Sequence, residues 1–236
     1  MKRILLMIFR NITRLPGLVM KLLKYSSHVE KYTEEERNKF LKYIVHIANK
    51  GGNVKIQSFG TENIPNKDGF MLFPNHQGMY DVLALLDVCP RPLSVVAKKE
   101  VAKIPLLKQI FKIMNVMFMD RENVRQSMQI IMEVSKQVEQ GRNYIIFPEG
   151  TRSKKGNQVG EFKGGSFKAA TKAKCPIVPV ALVDSFKPFD TGSTNPITVQ
   201  VHFLQPIMYE EYKDMKTNDI AEEVKRRIVE VIEKNK

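Results

Sequence analysis

The chain has no tryptophan, only two cysteines and no long uninterrupted hydrophobic run. Cys89 and Cys175 each precede a proline and show no CxxC spacing, so neither a disulfide framework nor a metal site is indicated, and a reducing cytoplasm fits. A membrane-spanning helix needs about 20 consecutive apolar residues, and no stretch of the sequence approaches that length. The sequence therefore argues against a disulfide scaffold, a zinc protein and a protein embedded by spanning helices.

Acidic residues are also few for the number of basic ones. The 236 residues include 38 Lys and Arg but only 25 Asp and Glu, which gives a formal net charge of +13. Such an excess favours anionic partners, among them lipid headgroups, acidic proteins and nucleic acid. Nucleic acid is the weaker candidate because the chain has no recognisable base-readout motif and no zinc-finger spacing. We therefore expect no nucleic-acid partner and favour an anionic surface or ligand.

Apolar runs and helix-period patterns alternate along most of the chain. Strands are predicted at residues 54–59, 70–74, 93–97, 116–119, 144–147, 177–183 and 198–204. Helices are predicted at residues 81–87, 124–140, 167–174 and 219–234, and a surface loop at 187–196. Alternating strands and helices are typical of layered folds. The sequence therefore predicts an α/β domain over residues 53–236, with a mixed, mostly parallel sheet flanked by helices.

Hydrophobic residues recur at helical spacing near the N-terminus. Leu5, Ile8, Ile12 and Leu15 follow this spacing until Pro16 and Gly17 interrupt it. Basic residues occupy the remaining surface, namely Lys2, Arg3, Arg10 and Arg14. This pattern favours an amphipathic helix that lies in a membrane interface. The alternative is that the same residues cap the core of a soluble domain.

A further N-terminal helix is predicted from its two ends. Thr33 and Glu36 have the spacing of a capping box, which marks a helix start. Gly51 and Gly52 mark its end. Residues 1–52 are therefore predicted to form an amphipathic helical hairpin, a membrane-associating region separate from the α/β domain.

A histidine and a carboxylate follow a predicted buried strand. They are His76 and Asp81, in the run Phe-Pro-Asn-His-Gln-Gly-Met-Tyr-Asp at residues 73–81. Histidine suits proton abstraction near neutral pH, and a carboxylate on its other nitrogen fixes the tautomer. On one unbroken helix, residues five apart would point about 140° from each other. The pair therefore meets only if His76 stays in a loop that folds back onto a helix starting near Asp81.

A second polar cluster follows the predicted strand at residues 144–147. The run Phe-Pro-Glu-Gly-Thr-Arg-Ser at residues 147–153 combines an acid, a glycine, a hydroxyl and a guanidinium. Glycine allows the backbone to approach a ligand, and arginine binds anions with two parallel hydrogen bonds. The cluster therefore predicts an anion cradle; an ordinary strand exit with surface charges is the alternative.

These segments together resemble the glycerolipid acyltransferase family. The first family motif, Asn-His-x-x-x-x-Asp, matches Asn75, His76 and Asp81, and the motif Phe-Pro-Glu-Gly-Thr-Arg-Ser matches every residue of 147–153. An apolar stretch closing with Asp-Arg matches residues 116–121, with Asn115 where the family often has glycine. Weaker matches lie at residues 96–100, 162–167 and 177–180. The resemblance covers about residues 55–205, with the motifs in the family's order.

The resemblance implies a role for each matched residue. His76 would be the general base and Asp81 its orienting partner. Backbone amides near the His76 loop or the Glu149–Gly150 turn are the candidates for stabilising an oxyanion. The implied substrate-binding residues are Asn75, Lys98, Arg121, Glu149, Gly150, Thr151 and Arg152. Of these, the three cations would hold the acceptor's phosphate.

The resemblance also implies a reaction. It is the transfer of a fatty acyl group to the sn-2 hydroxyl of 1-acyl-glycerol-3-phosphate (lysophosphatidic acid), giving phosphatidic acid. The donor would be an acyl-coenzyme A or an acyl carrier protein thioester, with no cofactor and no metal. The protein would be peripheral or monotopic at the cytoplasmic face of the cell membrane. The alternatives are a different acceptor, such as glycerol-3-phosphate or another lysophospholipid, and a non-catalytic protein that binds lipid surfaces.

Overall fold

Strands and helices alternate in the computed structural model, which describes residues 2–103, 107–120 and 122–236. The strands in these ranges are β1 (Val54–Phe59), β2 (Met71–Pro74), β3 (Ser94–Lys98), β4 (Met117–Met119), β5 (Tyr144–Ile145), β6 (Ile177–Val183) and β7 (Ile197–Phe203). The helices are α1 (Lys2–Arg10), α2 (Leu15–Ser27), α3 (Glu34–Gly51), α4 (Asp81–Val88), α5 (Leu107–Ile113), α6 (Val124–Glu139), α7 (Lys168–Ala173), α8 (Lys187–Asp190), α9 (Tyr209–Tyr212) and α10 (Thr217–Asn235).

The strands form one sheet in the order β1-β7-β6-β2-β5-β3-β4. All neighbouring strands are parallel except β6 and β7, which are antiparallel. Strand β2 is central, with Leu72 paired to Ile145 on one side and Val178 on the other. The predicted fold class, a mixed and mostly parallel sheet, is confirmed. Because β2, β5 and β6 run in the same direction, their carboxyl ends meet at one edge of the sheet.

Both faces of the central strands are buried. Successive side chains of a strand point to opposite faces, so Leu72 joins the core on the α3 and α4 side, and Phe73 joins the core beside α7 and α10. Strand β6 behaves in the same way, and all of its residues are buried. Helices cover both sides of such a sheet, which explains why its strands read as continuous apolar runs instead of alternating ones.

The seven predicted strands and four predicted helices of the α/β domain are present, with ends shifted by up to two residues. Three short helices, α5, α8 and α9, were not predicted. The loop predicted at residues 187–196 contains α8, whose Pro188 lies in the first turn, where proline is compatible with a helix. Pro188, which contributed to the loop prediction, is therefore part of the first turn of a helix.

Two predictions about the N-terminal segment were wrong. Pro16 and Gly17 do not interrupt a helix; Pro16 lies in the first turn of α2, and the break falls at residues 11–14. Arg3 is not on the exposed surface, because its side chain is only 1% exposed. Its guanidinium donates hydrogen bonds to the carbonyl oxygens of Pro188 (3.1 Å), Asn195 (2.9 Å) and Gly52. These carbonyls satisfy a buried charge that the sequence pattern placed in solvent.

The predicted capping box of α3 is confirmed. Thr33 Oγ1 accepts from the amide of Glu36 (3.2 Å), and the Glu36 carboxylate accepts from the amide of Thr33 (2.8 Å). Helix α1 packs against α3, and Met7 and Leu22 belong to the same hydrophobic core as the sheet. Treating residues 1–52 as a separate region stays a prediction.

One face of α1 and the loop that follows it remain apolar and exposed. Leu5 is 63% exposed, Phe9 is 72% exposed and Ile12 is 59% exposed. Ile4 and Ile8 extend this surface, at 37% and 44%. No helix in the described ranges combines the length and the hydropathy needed to cross a bilayer.

Candidate active site

The loop after β2 carries the predicted histidine and carboxylate. Strand β2 ends at Pro74, and α4 begins at Asp81. His76 Nδ1 lies 2.7 Å from Asp81 Oδ2, a hydrogen-bond distance. As the sequence predicted, His76 stays in the loop, which turns back onto the first turn of α4. The pair therefore lies at the sheet edge where the carboxyl ends of β2, β5 and β6 meet.

Asp81 is held by its own loop. Its side chain is 0% exposed, and Oδ2 also accepts from the amide of Gln77 at 2.7 Å. The amide of Gly78 lies 3.1 Å from both carboxylate oxygens. A side chain at Gly78 would come within 3.0 Å of the Cα of Phe186, so this close turn favours glycine. These N–H groups fix the position of the carboxylate beside His76.

The imidazole of His76 is positioned but remains accessible. Its side chain is 21% exposed, and its ring stacks on Phe147 with 4.0 Å between ring centroids. With Nδ1–H donated to Asp81, Nε2 carries the lone pair. Among the residues that the structure describes, none forms a hydrogen bond with Nε2. The ring can therefore take a proton from a bound molecule.

Glu149 links the two polar loops. Its side chain is 4% exposed, and its carboxylate accepts from the amide of His76 (2.7 Å) and from the amide of Gly160 (3.1 Å). In return, the amide of Ser153 donates to the carbonyl of His76 at 2.9 Å. Burial raises the pKa of Glu149 above its usual range, although the bond from the His76 amide opposes that shift. Glu149 thus holds the His76 loop in place and has little surface left for a ligand.

Asn75 also has a positioning contact. It is 1% exposed, its amide nitrogen donates to the carbonyl of Leu182 (3.1 Å), and its amide oxygen accepts from the backbone N–H of Leu182 (2.7 Å). Both polar ends of the side chain are therefore occupied by β6. The expected contact between Asn75 and substrate stays a prediction, because this geometry shows only that the side chain ties the loop to β6.

The remaining predicted residues differ in their surroundings. Gly150 has φ of 72°, in the left-handed region that favours glycine, so backbone conformation alone accounts for this residue type. Thr151 is exposed.

Arg152 is half-buried and has no ion-pair partner among the described residues. Lys98 is exposed at the end of β3, with its Nζ 3.2 Å from the Glu100 carboxylate. Arg121 lies outside the described residues.

Four of the amides near the His76 loop and the Glu149–Gly150 turn are already engaged within the protein. Those of His76, Gln77 and Gly78 donate to Glu149 and Asp81, and the amide of Gly150 donates to the carbonyl of Phe147 at 3.1 Å. The candidates named from the sequence therefore hold the site's own carboxylates and turn. Their hydrogen bonds fix the loop that carries the imidazole.

The two cysteines are unsuited to nucleophilic catalysis. Both thiols are buried. Burial raises the pKa of Cys89 to about 11 and that of Cys175 to about 12. The thiolate, which is the reactive form, is therefore scarce at neutral pH. A covalent intermediate on either cysteine is therefore not favoured.

Three polar residues that form hydrogen bonds with one another near His76 and Asp81 were not predicted from the sequence, namely Gln77, Asn157 and Ser185. Gln77 is 2% exposed, and its amide nitrogen donates to Asn157 Oδ1 (2.8 Å) and to the carbonyl of Leu182 (2.9 Å). Its amide oxygen accepts from the backbone N–H of Ser185 at 2.9 Å. Gln77 lay inside the motif, but Asn157 and Ser185 carried no local signal. Asn157 follows β5 and Ser185 follows β6, and they reach the site only because both strands pair with β2.

Comparison with known proteins identifies the class that this fold and site define. A family model described as "Acyltransferase" matches residues 55–183. This range includes the His76–Asp81 pair and the whole of the 147–153 motif. The chain belongs to the acyltransferase family, whose members are enzymes.

Particular relatives carry a more specific name. The chain is 30% identical over 235 residues to a probable 1-acyl-sn-glycerol-3-phosphate acyltransferase of Mycoplasma pneumoniae, covering 91% of this chain and 87% of the relative. It is 33% identical over 132 residues to the 1-acyl-sn-glycerol-3-phosphate acyltransferase of Borreliella burgdorferi, covering 56% of this chain and 52% of that protein.

A solved structure shares the fold across nearly the whole chain. The 1-acyl-sn-glycerophosphate acyltransferase of Thermotoga maritima matches with a TM-score of 0.79 and 22% identity, covering 99% of this chain and 95% of that protein.

The second motif departs from the resembled family at Asn115, where glycine is frequent. Asn115 has φ of 53°, a left-handed conformation that asparagine tolerates better than most residues. The departure therefore preserves the backbone turn.

Proposed function

We propose that the protein transfers a fatty acyl group from an acyl thioester to the sn-2 hydroxyl of 1-acyl-glycerol-3-phosphate, giving phosphatidic acid. The observation that carries this proposal is the 2.7 Å contact between His76 Nδ1 and Asp81 Oδ2, with the imidazole still partly exposed. The named relatives support the choice of acceptor and product. The proposal requires no cofactor and no metal; the acyl-coenzyme A or acyl carrier protein thioester is a co-substrate.

The reaction needs one base and no covalent enzyme intermediate. His76 Nε2 takes the proton of the acceptor hydroxyl while that oxygen attacks the thioester carbonyl, forming a new C–O bond. The Asp81 carboxylate stabilises the resulting imidazolium. The tetrahedral intermediate then expels the thiolate, and the C–S bond breaks. The thiolate receives the proton from Nε2, which returns His76 to its starting form.

The acceptor's phosphate is assigned to the three cations that the resemblance implies. Arg152 directly precedes Ser153, whose amide is bonded to the carbonyl of His76, so its backbone lies next to the catalytic loop. Arginine binds phosphate with two parallel hydrogen bonds. By resemblance, Arg121 and Lys98 share this role. Arg152 is the one whose surroundings support it best, because Lys98 already faces Glu100.

Replacing Arg152 by alanine should lower kcat/KM for lysophosphatidic acid by at least about tenfold, since a hydrogen bond to a charged group contributes about 1.5–3 kcal/mol. Turnover of an uncharged monoacylglycerol should change much less. The assay separates the lipid products of purified protein supplied with acyl-coenzyme A or acyl carrier protein thioester. Lys155→Ala, which removes an exposed charge from the same loop, serves as the control.

Each result of this assay bears on the proposal. Phosphatidic acid as the main product supports it. Preferred acylation of glycerol-3-phosphate or of another lysophospholipid would mean that this other molecule is the acceptor. No acylation of any acceptor would favour the alternative of a non-catalytic protein that binds lipid surfaces. Equal losses with charged and uncharged acceptors in Arg152→Ala would mean that Arg152 does not recognise the phosphate.

Peripheral attachment to the cytoplasmic face of the cell membrane is part of the same proposal. Its support is the exposed apolar surface of α1 and the following loop, formed by Ile4, Leu5, Ile8, Phe9 and Ile12. Lys2 and Arg10 on the same helix are exposed and suit anionic headgroups. This arrangement fits an interfacial helix and also agrees with the net charge of +13.

The double substitution Leu5→Asp with Phe9→Asp should weaken binding to anionic phospholipid vesicles by at least about tenfold. Burying each large apolar side chain contributes about 1.5–3 kcal/mol, and added carboxylates are repelled by the surface. Vesicle sedimentation measures the change. Deleting the helix is a poorer test, because it would remove Arg3 and Met7 from the core.

The matched control for this experiment carries the same two added charges elsewhere. Met128 and Met208 are 43% and 47% exposed, and replacing both by aspartate should leave most vesicle binding intact. Equal binding by the Leu5 and Phe9 variant and the wild type would contradict the anchor. An equal loss of vesicle binding in the control would mean that the added negative charge weakens binding wherever it lies, and that the α1 surface has no special role.

A further inference from the structure

Ser185 contacts the catalytic carboxylate from outside the motif. It lies two residues beyond the end of β6, and its side chain is 0% exposed. Its Oγ is 2.6 Å from Asp81 Oδ1. Strands β6 and β2 are parallel neighbours, so the chain leaves both strands at the same sheet edge. This is how Ser185 reaches a residue 104 positions earlier in the sequence.

The single hydroxyl proton of Ser185 has two acceptors within reach. Besides Asp81 Oδ1, Oγ lies 2.9 Å from Gln77 Oε1. Gln77 Oε1 already accepts from the backbone N–H of Ser185 at 2.9 Å, whereas an ionised carboxylate is an acceptor only. A hydrogen bond to a charged oxygen is also stronger and shorter than one to a neutral amide. The hydroxyl of Ser185 therefore donates to Asp81.

The two oxygens of Asp81 are held by different donors. Oδ2 receives the short bonds, at 2.7 Å each, from His76 Nδ1 and the amide of Gln77. Oδ1 receives Ser185 Oγ at 2.6 Å, and its other contact is the Gly78 amide, 3.1 Å from both oxygens. Without the hydroxyl, Oδ1 keeps only this longer, shared contact. Rotation of the carboxylate about its Cβ–Cγ bond is then opposed only by the contacts on Oδ2 and by this shared one.

Ser185 is itself fixed in place. Its backbone N–H is bonded to Gln77 Oε1, and Gln77 is anchored through its amide nitrogen to the carbonyl of Leu182 and to Asn157. Asn157 in turn accepts from the backbone N–H of Asp184 at 2.8 Å. The residue before Ser185 and its own amide are thus both secured, so the hydroxyl is held close to Asp81 before any ligand binds.

We propose that Ser185 is a positioning residue for acyl transfer: its hydroxyl fixes the rotation of the Asp81 carboxylate so that Oδ2 stays aligned with His76 Nδ1. Its effect on rate rests on the proposed function. Ser185 touches neither substrate, and it acts through the orientation of the Asp81 carboxylate. A residue in this position lowers the cost of aligning the base in the transition state.

Three substitutions at Ser185 separate the hydrogen bond from packing. Ser185→Ala should lower kcat by about tenfold, the value expected for losing one hydrogen bond to a charged group, while KM for lysophosphatidic acid stays within about twofold of the wild-type value. Ser185→Cys, similar in volume but a weak donor, should behave like alanine. Ser185→Thr keeps the hydroxyl and should recover most of kcat.

A second serine provides the matched control. Ser135 is also 0% exposed, and its Oγ lies 3.5 Å from Glu139 on the same helix, α6. Ser135→Ala should leave kcat unchanged, which shows that removing a buried serine hydroxyl does not by itself slow the enzyme. Melting temperatures of all variants show whether a rate loss follows a loss of stability.

Proton NMR tests the positioning directly and does not require acyl transfer. The proton shared by His76 Nδ1 and Asp81 Oδ2 should give a downfield resonance that is absent in His76→Ala. In Ser185→Ala and Ser185→Cys it should shift or broaden, and in Ser185→Thr it should resemble that of the wild type. A wild-type protein that makes no phosphatidic acid but shows these changes would refute the proposed function and retain the positioning role.

Two results would overturn the inference. The first is Ser185→Ala with wild-type kcat and an unchanged downfield resonance. The second is a rate loss shared by all three variants, threonine included, that parallels their melting temperatures while the resonance stays unchanged. In the second case Ser185 would only fill space in the core.

Discussion

Replacing His76 by alanine should lower the rate of phosphatidic acid formation by at least about a hundredfold, the low end for losing a general base. The reason is geometric as well as chemical. The imidazole has Nδ1 bound to Asp81 and a partly exposed ring stacked on Phe147. Alanine keeps the loop's backbone bonds to Glu149 and Ser153 but removes the imidazole that takes the proton in the proposed mechanism.

The control for this variant is His46→Ala, which removes an exposed histidine from α3. Its rate should match that of the wild type. Circular dichroism and vesicle binding should be unaffected in both variants, because neither side chain is part of the hydrophobic core. Acyl transfer at the wild-type rate by His76→Ala would remove the proposed mechanism, and loss of its folded structure would assign His76 a structural role instead.

Replacing Asp81 by asparagine should also lower kcat by at least about a hundredfold, as expected when the orienting member of a histidine–carboxylate pair is neutralised. Asp81 accepts from His76 Nδ1, two backbone amides and Ser185 Oγ, and it is fully buried. An asparagine offers one acceptor oxygen and an NH2 group that must face one of these donors. The imidazole then loses its fixed tautomer, and the imidazolium loses its counter-charge.

The measurement for Asp81→Asn is steady-state kinetics with both substrates varied. The loss should fall mainly on kcat, because the carboxylate stabilises a charge that develops only during reaction. Asp214→Asn, at an exposed site, should have no effect. Combining His76→Ala with Asp81→Asn should cost little more than His76→Ala alone, because the two residues act as a unit. Additive losses would show that Asp81 acts independently of His76.

The local features of the site were predictable from the sequence because they depend on short separations along the chain. His76 and Asp81 are five positions apart, and a loop followed by a helix start is enough to bring them within reach of each other. The capping box of Thr33 and Glu36 is equally local. The strands were found because central strands buried on both faces appear as continuous apolar runs.

Other predictions failed where a residue's partners come from distant parts of the chain. Arg3 follows the charge pattern of an exposed helix face, yet its guanidinium reaches carbonyls at residues 52, 188 and 195. The contacts of Asn75 were equally hidden, because its amide is bonded to Leu182, 107 positions away; substrate binding by Asn75 stays a prediction. In each case a tertiary contact satisfied a polar group that the sequence alone left unassigned.

The sequence by itself determined the acyltransferase motifs, the order of the α/β elements and the position of His76, the proposed base. Only the tertiary structure decided how that residue is held: Glu149 on the His76 amide, and Ser185 on the far oxygen of Asp81. The physical reason is strand order. Strands β5 and β6 lie on either side of β2, so the chain segments that follow them converge on the loop that carries His76. Periodicity along a sequence carries no information about which strands become neighbours.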